Sequence, residues 1–295
     1  MTQSKQIKIH NPSETGTLKT VVMRLIAPFR LLTSAHGLLE PSIIRQIMHN
    51  RFVPYNVEKA QAQQLELKNT LEEHGARVLL LPPIANSGGH YMRDVGFAID
   101  DNYFVARMGT HIREQEVVAL GQLVSIFSNV VKLEKGHVEG GDVILAPGRV
   151  LIGLGEASNM EGVESVKQAL AKIGSEREVI PLKFNSSGVI HLDTKFNLVA
   201  PDLAIISKSA FEKESLGWLE NNFELIEATD EETRAIHINT FGIGNGNVIM
   251  DQRALGLADI LRSRGLNPIL IDYSEITCLP GSFRCSTLPL ERLDN

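Results

Sequence analysis

Cysteine is scarce in this chain. Two thiols, Cys278 and Cys285, stand in 295 residues, too few for a disulfide framework. Basic runs are also missing, and the net charge is -6. That excludes a general nucleic-acid binder, while a mildly acidic surface suits a small cation. No apolar run approaches the roughly 20 residues needed to span a membrane. The first ten residues are polar and lack the apolar core of a signal peptide. Asn185-Ser186-Ser187 matches a glycosylation acceptor, which has no use without a secretory signal. The expectation is a soluble protein of a reducing, cytoplasmic compartment, with no nucleic-acid or membrane partner. No linker interrupts residues 1–295, so one domain is expected over the whole chain. At that size folding buries roughly three quarters of the unfolded surface, and neither disulfides nor metal is needed for stability.

Metal-site signatures are missing as well. No His-Glu-x-x-His occurs. His137-Val138-Glu139 has the His-x-Glu form used by zinc deaminases, but the Pro-Cys-x-x-Cys segment that must accompany it is lacking. No catalytic metal and no cofactor are expected.

What the chain does have is a repeat. Helical patterns followed by apolar runs recur at Leu65–His74 with Val78–Leu81, Val117–Phe127 with Val130–Leu133, and Val163–Ile173 with Val179–Leu182. They recur again at Ser215–Asn221 with Phe223–Ala228, and at Ala254–Arg264 with Pro268–Tyr273. A period of roughly 45–52 residues signals a repeat architecture. Hairpins precede several helices: Val95–Asp100 with Tyr103–Arg107, Val143–Leu145 with Val150–Gly153, and Phe196–Ala200 with Leu203–Ser207. Thr17–Leu25 reads as the first strand, completing the last unit of a closed ring. Residues 27–55 read as a long excursion, either a lid or a packed surface segment. Gly242-Ile243-Gly244-Asn245-Gly246-Asn247 reads as a turn, not a phosphate loop, because no helical pattern follows it.

The loops after the five apolar runs hold the chemistry. Cys285 sits between Arg284 and Ser286 in a polar loop, unlike a structural thiol. Reactive thiols need a cationic neighbour, which Arg284 or a cationic substrate would supply. Cys278, at a strand end, reads as structural. His191 and Asp193 are two residues apart, so an extended backbone would face both to one side. That sets an acid/base group beside a cation site. His237 has the same spacing to the neutral Asn239 and is the second choice for the base. Arg93-Asp94 is either a salt bridge at a loop neck or part of the site. In Glu139-Gly140-Gly141-Asp142 one glycine is expected at positive φ, the other where a ligand or loop approaches closely, and one acid is expected to be structural. A thiol, a His and several carboxylates suit a planar cation such as a guanidinium, whose N–H pairs carboxylates accept. Asp94 and Asp193 would hold it from two sides, and its charge would stabilise the Cys285 thiolate. Attack by Cys285, proton transfer by His191, oriented by Glu139, and hydrolysis of the covalent intermediate would follow.

At these residues the chain resembles the guanidino-group modifying superfamily of arginine deiminases, dimethylarginine dimethylaminohydrolases and glycine amidinotransferases. The resemblance runs from Pro12 to Leu290. It rests on Met92-Arg93-Asp94, Glu139-Gly140-Gly141-Asp142, His191-Leu192-Asp193 and Arg284-Cys285-Ser286-Thr287-Leu288-Pro289-Leu290. It implies an α/β fold, a five-bladed α/β propeller (pentein) with a pseudo-five-fold repeat. It implies a metal-independent amidine hydrolase with Cys285 as nucleophile, His191 as acid/base, and Glu139 behind His191. Asp94 and Asp193 would bind the guanidinium, with Arg93 and Arg284 at the substrate. The partner expected is a small guanidino amino acid, and a homodimer is compatible. The His-x-Asp form and the Cys285 loop look deiminase-like, but the length is closer to dimethylarginine hydrolases and arginine dihydrolase domains. Two Asp favour unmethylated arginine, because methyl groups remove N–H donors. A transferase differs only in whether an amine reaches the intermediate before water. Arg107, Arg149 and Arg284 are the candidates for holding a substrate carboxylate. A non-catalytic ring protein, as translation initiation factor 6 resembles, is the other class. Retention of the Cys, the His and all the acids argues against it.

Overall fold

A computed structural model describes residues 7–27, 56–84, 87–186 and 188–294. The excursion expected at residues 27–55 lies outside them, apart from Ala27. Three of the helix ends share one device. The helices Val57–Glu73 (α1), Met160–Lys172 (α4) and Leu255–Ser263 (α7) are followed by Gly75, Gly174 and Gly265, at φ of 86°, 73° and 79°. Glycine takes this left-handed conformation without a Cβ clash and turns the chain back into a strand. At their starts, Asn56 and Asn159 accept the backbone N–H of Lys59 and Gly162, as good N-caps do.

The strands begun after α4 and α7 lie parallel to the second strand of a hairpin. The second blade contains β3 (Gly96–Ile99), β4 (Asn102–Val105) and β5 (Val130–Lys132). The third contains β6 (Val143–Ala146), β7 (Arg149–Leu154) and β8 (Glu178–Lys183). The fourth contains β9 (Phe196–Leu198), β10 (Leu203–Ile206) and β11 (Glu224–Glu227). The fifth contains β12 (Phe241–Gly244), β13 (Asn247–Asp251) and β14 (Asn267–Ile271). The third blade shows the common register, with Leu145 opposite Val150 antiparallel and Val150 beside Val179 parallel.

The first blade is assembled from both ends of the chain. β1 (Thr17–Arg24) pairs in parallel with β2 (Arg77–Leu81) and antiparallel with β15 (Leu288–Leu293). Ring closure therefore runs opposite to the sequence reading: the C-terminal strand completes the N-terminal blade. The five sheets have three strands each and form the α/β fold with pseudo-five-fold repeat that was expected. Apolar clusters fill the seams between blades. One joins Phe97 and Phe104 of the second blade to Val143, Leu145 and Val150 of the third and Val163 and Val166 of α4. No helix among the described residues is long and apolar enough to cross a membrane.

Two elements differ from expectation. Residues 117–127 form no continuous helix but two short ones, α2 (Glu114–Val118) and α3 (Gly121–Val124). Gly121 is a poor helix residue, and the break lies just before it. Phe241–Gly244 is strand, so the turn is only Asn245-Gly246, with φ of 52° and 73°, the pair of positive φ values that a tight hairpin needs.

Candidate active site

Five loops, one after the third strand of each blade, supply the site. The Cys285 loop lies against the loop of the first blade, where Arg93 N–H donates to the Cys285 carbonyl at 2.9 Å. Cys285 is 1% exposed. Its Sγ lies 3.5 Å from Asp193 Oδ2 and 3.7 Å from Asp193 Oδ1. Burial, with the charges of Asp193 and Asp94, pushes the thiol well above its ordinary range. At rest this sulfur is protonated.

His191 stands among carboxylates. Its Nε2 lies 3.0 Å from Glu139 Oε2 and its Nδ1 3.6 Å from Asp94 Oδ1. Burial opposes charge on the ring, but Asp94, the hydrogen bond to Glu139 and Asp142 outweigh it and push the imidazole up to about 10. Glu139 is in turn held by Gly109 N–H at 2.9 Å and by Arg113. Burial opposes its charge, yet Arg113 and His191 hold its carboxyl below the ordinary range. Asp142 is the structural acid of the pair. It accepts Leu192 N–H at 2.9 Å and Ser158 Oγ–H at 2.6 Å, which fixes the backbone after His191.

The extended backbone expected for His191 to Asp193 is a 3-10 turn from Leu192 to Thr194. Both side chains still reach the site, His191 toward Glu139 and Asp193 toward Cys285. Neither Gly140 nor Gly141 takes positive φ. Both are close-approach glycines. A Cβ on Gly140 would lie 2.0 Å from Arg93 O, and one on Gly141 2.7 Å from the His191 ring and 2.8 Å from Asp94 Oδ1. Gly141→Ala is therefore expected to displace His191 and lower kcat by about 10²-fold or more, since misplacement of about 1 Å costs this much. Steady-state kinetics beside a thermal melt checks it, because kcat should fall further than folding alone explains.

Arg93 and Arg284 lie behind the carboxylates. Arg284 is fully buried and donates to Glu14 from Nε (2.9 Å) and Nη2 (3.2 Å), to Asp193 Oδ2 from Nη1 (2.8 Å), and to Val143 O from Nη2 (2.6 Å). Arg93 Nη1 lies 3.6 Å from the same Glu14, and its Nε donates to Arg284 O at 3.4 Å. Two residues unforeseen from sequence complete the network. Glu14 is the buried anion between these arginines. Arg113 spans Asp94 (2.9 Å), Glu139 (3.1 Å) and Glu116 (2.8 Å). Asp94, Glu139 and His191 each offer a ligand atom within 4.8 Å of the others, so this corner receives positive charge, and the Arg113 guanidinium supplies it here.

The other candidates lie elsewhere. His237 lines a pocket of about 470 Å³ with Glu231, Glu232 and Arg253. Arg107 donates to Gly136 O, and Arg149 stacks over Trp218 beside Glu178. Cys278 donates to Ser274 O at 3.3 Å.

A family model described as arginine deiminase matches residues 42–222, more than half of the chain. The chain belongs to the arginine deiminase family. It is 28% identical over 282 residues to the uncharacterized protein YkgA of Bacillus subtilis, covering 95% of this chain and 94% of that one. It is 26% identical over 242 residues to the N(G),N(G)-dimethylarginine dimethylaminohydrolase of Mycobacterium tuberculosis, covering 80% and 78%. Its fold matches SxtG, an amidinotransferase of Microseira wollei, with a TM-score of 0.80 at 15% identity over 97% of this chain and 98% of that one. It matches the dimethylarginine dimethylaminohydrolase of Pseudomonas aeruginosa, solved with citrulline, at 0.77 and 20% identity over 92% and 99%. Membership of the arginine deiminase family places the chain in the guanidino-group modifying superfamily that its motifs resemble.

Proposed function

We propose that this chain is an amidine hydrolase that attacks the guanidinium carbon of arginine or a close derivative through Cys285. The observation that carries the reading is an orphaned acceptor. Asp94 Oδ1 is buried without a hydrogen-bond partner, the His191 ring standing off at 3.6 Å, while Asp94 Oδ2 already holds one guanidinium, that of Arg113. Asp193 gives Oδ2 to Arg284, and beside that its two oxygens meet the Cys285 thiol, Oδ1 at 3.7 Å and Oδ2 at 3.5 Å. Asp94 Oδ1, and Asp193 Oδ1 once the thiol has given up its proton, are the oxygens for a planar cation seated against Cys285. Burial and two carboxylate charges keep the thiol protonated; such a cation offsets the charges, so binding releases the thiol proton to solvent.

The Cys285 thiolate then adds to the guanidinium carbon, and the C=N electron pair moves to nitrogen. The His191 imidazolium donates its proton to the leaving amine as the C–N bond breaks, leaving a thiouronium on sulfur. Neutral His191 takes a proton from water as the hydroxide adds to that carbon. The C–S bond breaks, the electron pair returns to sulfur, the added hydroxyl loses its remaining proton to solvent as the carbonyl forms, the released ammonia takes up a proton there, and a ureido product departs. Net, one water converts the guanidinium into a urea and an ammonium. Glu139 orients His191 and keeps it charged. Glu139→Gln removes a charge that raises the imidazole pKa, so the imidazolium is lost at lower pH. The alkaline limb of the kcat profile is expected to move down by about one unit or more, and kcat to fall about 10²-fold. A pH–rate series checks both.

The defining experiment incubates purified protein with arginine, dimethylarginine, agmatine and citrulline and identifies products by mass. Citrulline and ammonia from arginine are expected, since Asp94 and Asp193 together call for an unmethylated guanidine. The second reading is dimethylarginine hydrolysis, favoured by the named relative from Mycobacterium tuberculosis, and dimethylamine would establish it. Ornithine would mean a dihydrolase. Turnover only with an added amine would mean a transferase, and no turnover at all would overturn the enzymatic reading.

A further inference from the structure

We infer that the side-chain amide of Asn239 is a catalytic group that donates a hydrogen bond to the Cys285 sulfur and stabilises the thiolate as it forms. The inference rests on Cys285 being the nucleophile. Asn239 is 1% exposed. Its Nδ2 lies 3.2 Å from Cys285 Sγ and 3.2 Å from Asp193 O. Its Oδ1 accepts the backbone N–H of Ser282 and of Cys285, each at 3.1 Å. The second pair decides the orientation of the amide. Backbone N–H groups are donors only, so the oxygen must face them. The opposite flip would set NH₂ against two N–H groups and leave the sulfur and the Asp193 carbonyl facing an oxygen. The donor role toward sulfur therefore follows from the whole network and not from an arbitrary choice of atoms.

The sulfur needs such a donor. Its other side-chain hydrogen-bond partner, Asp193, is an acceptor, and burial and two carboxylates oppose a thiolate there more strongly than the Ser282 backbone and Arg284 favour it. Among the described residues Asn239 alone donates a side-chain hydrogen bond to Sγ. The amide N–H is in place before the reaction and requires no movement when charge develops. It serves twice, once before the C–S bond forms and again when that bond breaks and the electron pair returns to sulfur.

The scaffold around Asn239 is consistent with this task. Asn239 O accepts the Arg284 N–H at 3.5 Å, tying the residue to both ends of the nucleophile loop. On either side, Asn197 Nδ2 donates to Ile238 O, Thr240 O and Thr240 Oγ1. The turn leading in carries Ile236 at φ of 61°, a strained conformation for a β-branched residue. Such strain persists where surrounding structure over-determines it, often at functional sites.

Asn239→Asp isolates the donor. It keeps the size and an oxygen for the two backbone N–H groups but sets oxygen against sulfur. The measurement is the rate of alkylation of Cys285 by iodoacetamide against pH, read by peptide mass. Trypsin cleaves after Arg284 and so separates the peptide of Cys285 from that of Cys278. Asn239→Asp and Asn239→Ala are both expected to slow alkylation by about tenfold or more and to move the thiol titration upward. With arginine, or whichever guanidine is turned over, kcat should fall on the order of 10²-fold, the effect of losing one preorganised donor, while KM changes by less than about threefold. An alkylation profile and kcat within about twofold of wild type in a folded Asn239→Asp protein would overturn the inference. So would failure of both variants to fold, which would assign Asn239 to the scaffold. The two readings separate cleanly. Turnover that survives Cys285→Ser sinks the nucleophile itself, whereas turnover that needs Cys285 but ignores Asn239→Asp sinks only the role of the amide.

Discussion

Cys285→Ser is expected to lose turnover by about 10⁴-fold or more while still binding its guanidine substrate. A serine hydroxyl nearly matches the thiol in size, so Asp94 and Asp193 keep their places. What the variant lacks is a route to a nucleophile. A hydroxyl is far harder to ionise than a thiol, so it needs a general base beside it. The imidazole in this site is no such base. His191 is pushed up to about 10 by Asp94, Glu139 and Asp142, against the opposing effect of burial, and at neutral pH it already carries its proton. The cysteine can work without a base, since a bound cation together with the Asn239 amide favours the thiolate. Single-turnover kinetics on the wild type, quenched in acid, should show the Cys285 peptide heavier by the bound carbon fragment. Calorimetry on Cys285→Ser should show binding without heat of reaction. Near-normal turnover in that variant would sink the covalent mechanism.

How much of this was legible in the sequence depends on how local each feature is. The helix and strand of a unit lie next to each other in the chain, and Gly75, Gly174 and Gly265 mark the turns between them. Those units were readable, and so were five loops at matching places. Residues 117–127 misled because their apolar spacing outlasts their helical propensity, which fails at Gly121. His191-Leu192-Asp193 misled in the other direction. Its residues are right, but the backbone that aims them is a 3-10 turn, which alternation does not reveal. Gly140 and Gly141 were flagged correctly as special, yet only the positions of Arg93 O and the His191 ring show that both serve close approach. Contacts across the ring left no local trace. Glu14 and Arg284 are 270 positions apart, and although the resemblance begins at Pro12, it gave Glu14 no role. Arg113 lies in a turn before α2 with no motif around it. Asn239 was visible only as a neutral neighbour of His237, because its worth lies in which groups it meets.

The ion network behind the site carries the second large effect. Arg284→Met should destabilise the fold by about 3–5 kcal/mol, the usual cost of stripping one partner from a buried pair. For a chain of this size that lowers the melting temperature on the order of 10 °C. The cause is what remains. Glu14 and Asp193, 5% and 0% exposed, lose their three hydrogen bonds from Arg284, and Val143 O loses a fourth. Arg284→Lys is not a rescue, since an ammonium cannot reproduce the flat fork that reaches Glu14 and Asp193 at once. Stability should track the charge of Glu14. Burial opposes that charge, but Arg284, Arg93 and Arg292 hold the carboxyl at about 2. Its folded pKa is below the unfolded value, so its contribution is complete above the ordinary carboxylate range and is lost as pH falls through about 2. The gap between wild type and Arg284→Met should therefore narrow toward that pH in thermal melts. A double variant with Glu14→Gln should lose less than the two single changes summed, as partners in one network do. Additive losses would mean that the two residues stabilise the ring separately. In that case Arg284 would reach the chemistry only through Asp193, the carboxylate it presents to the sulfur.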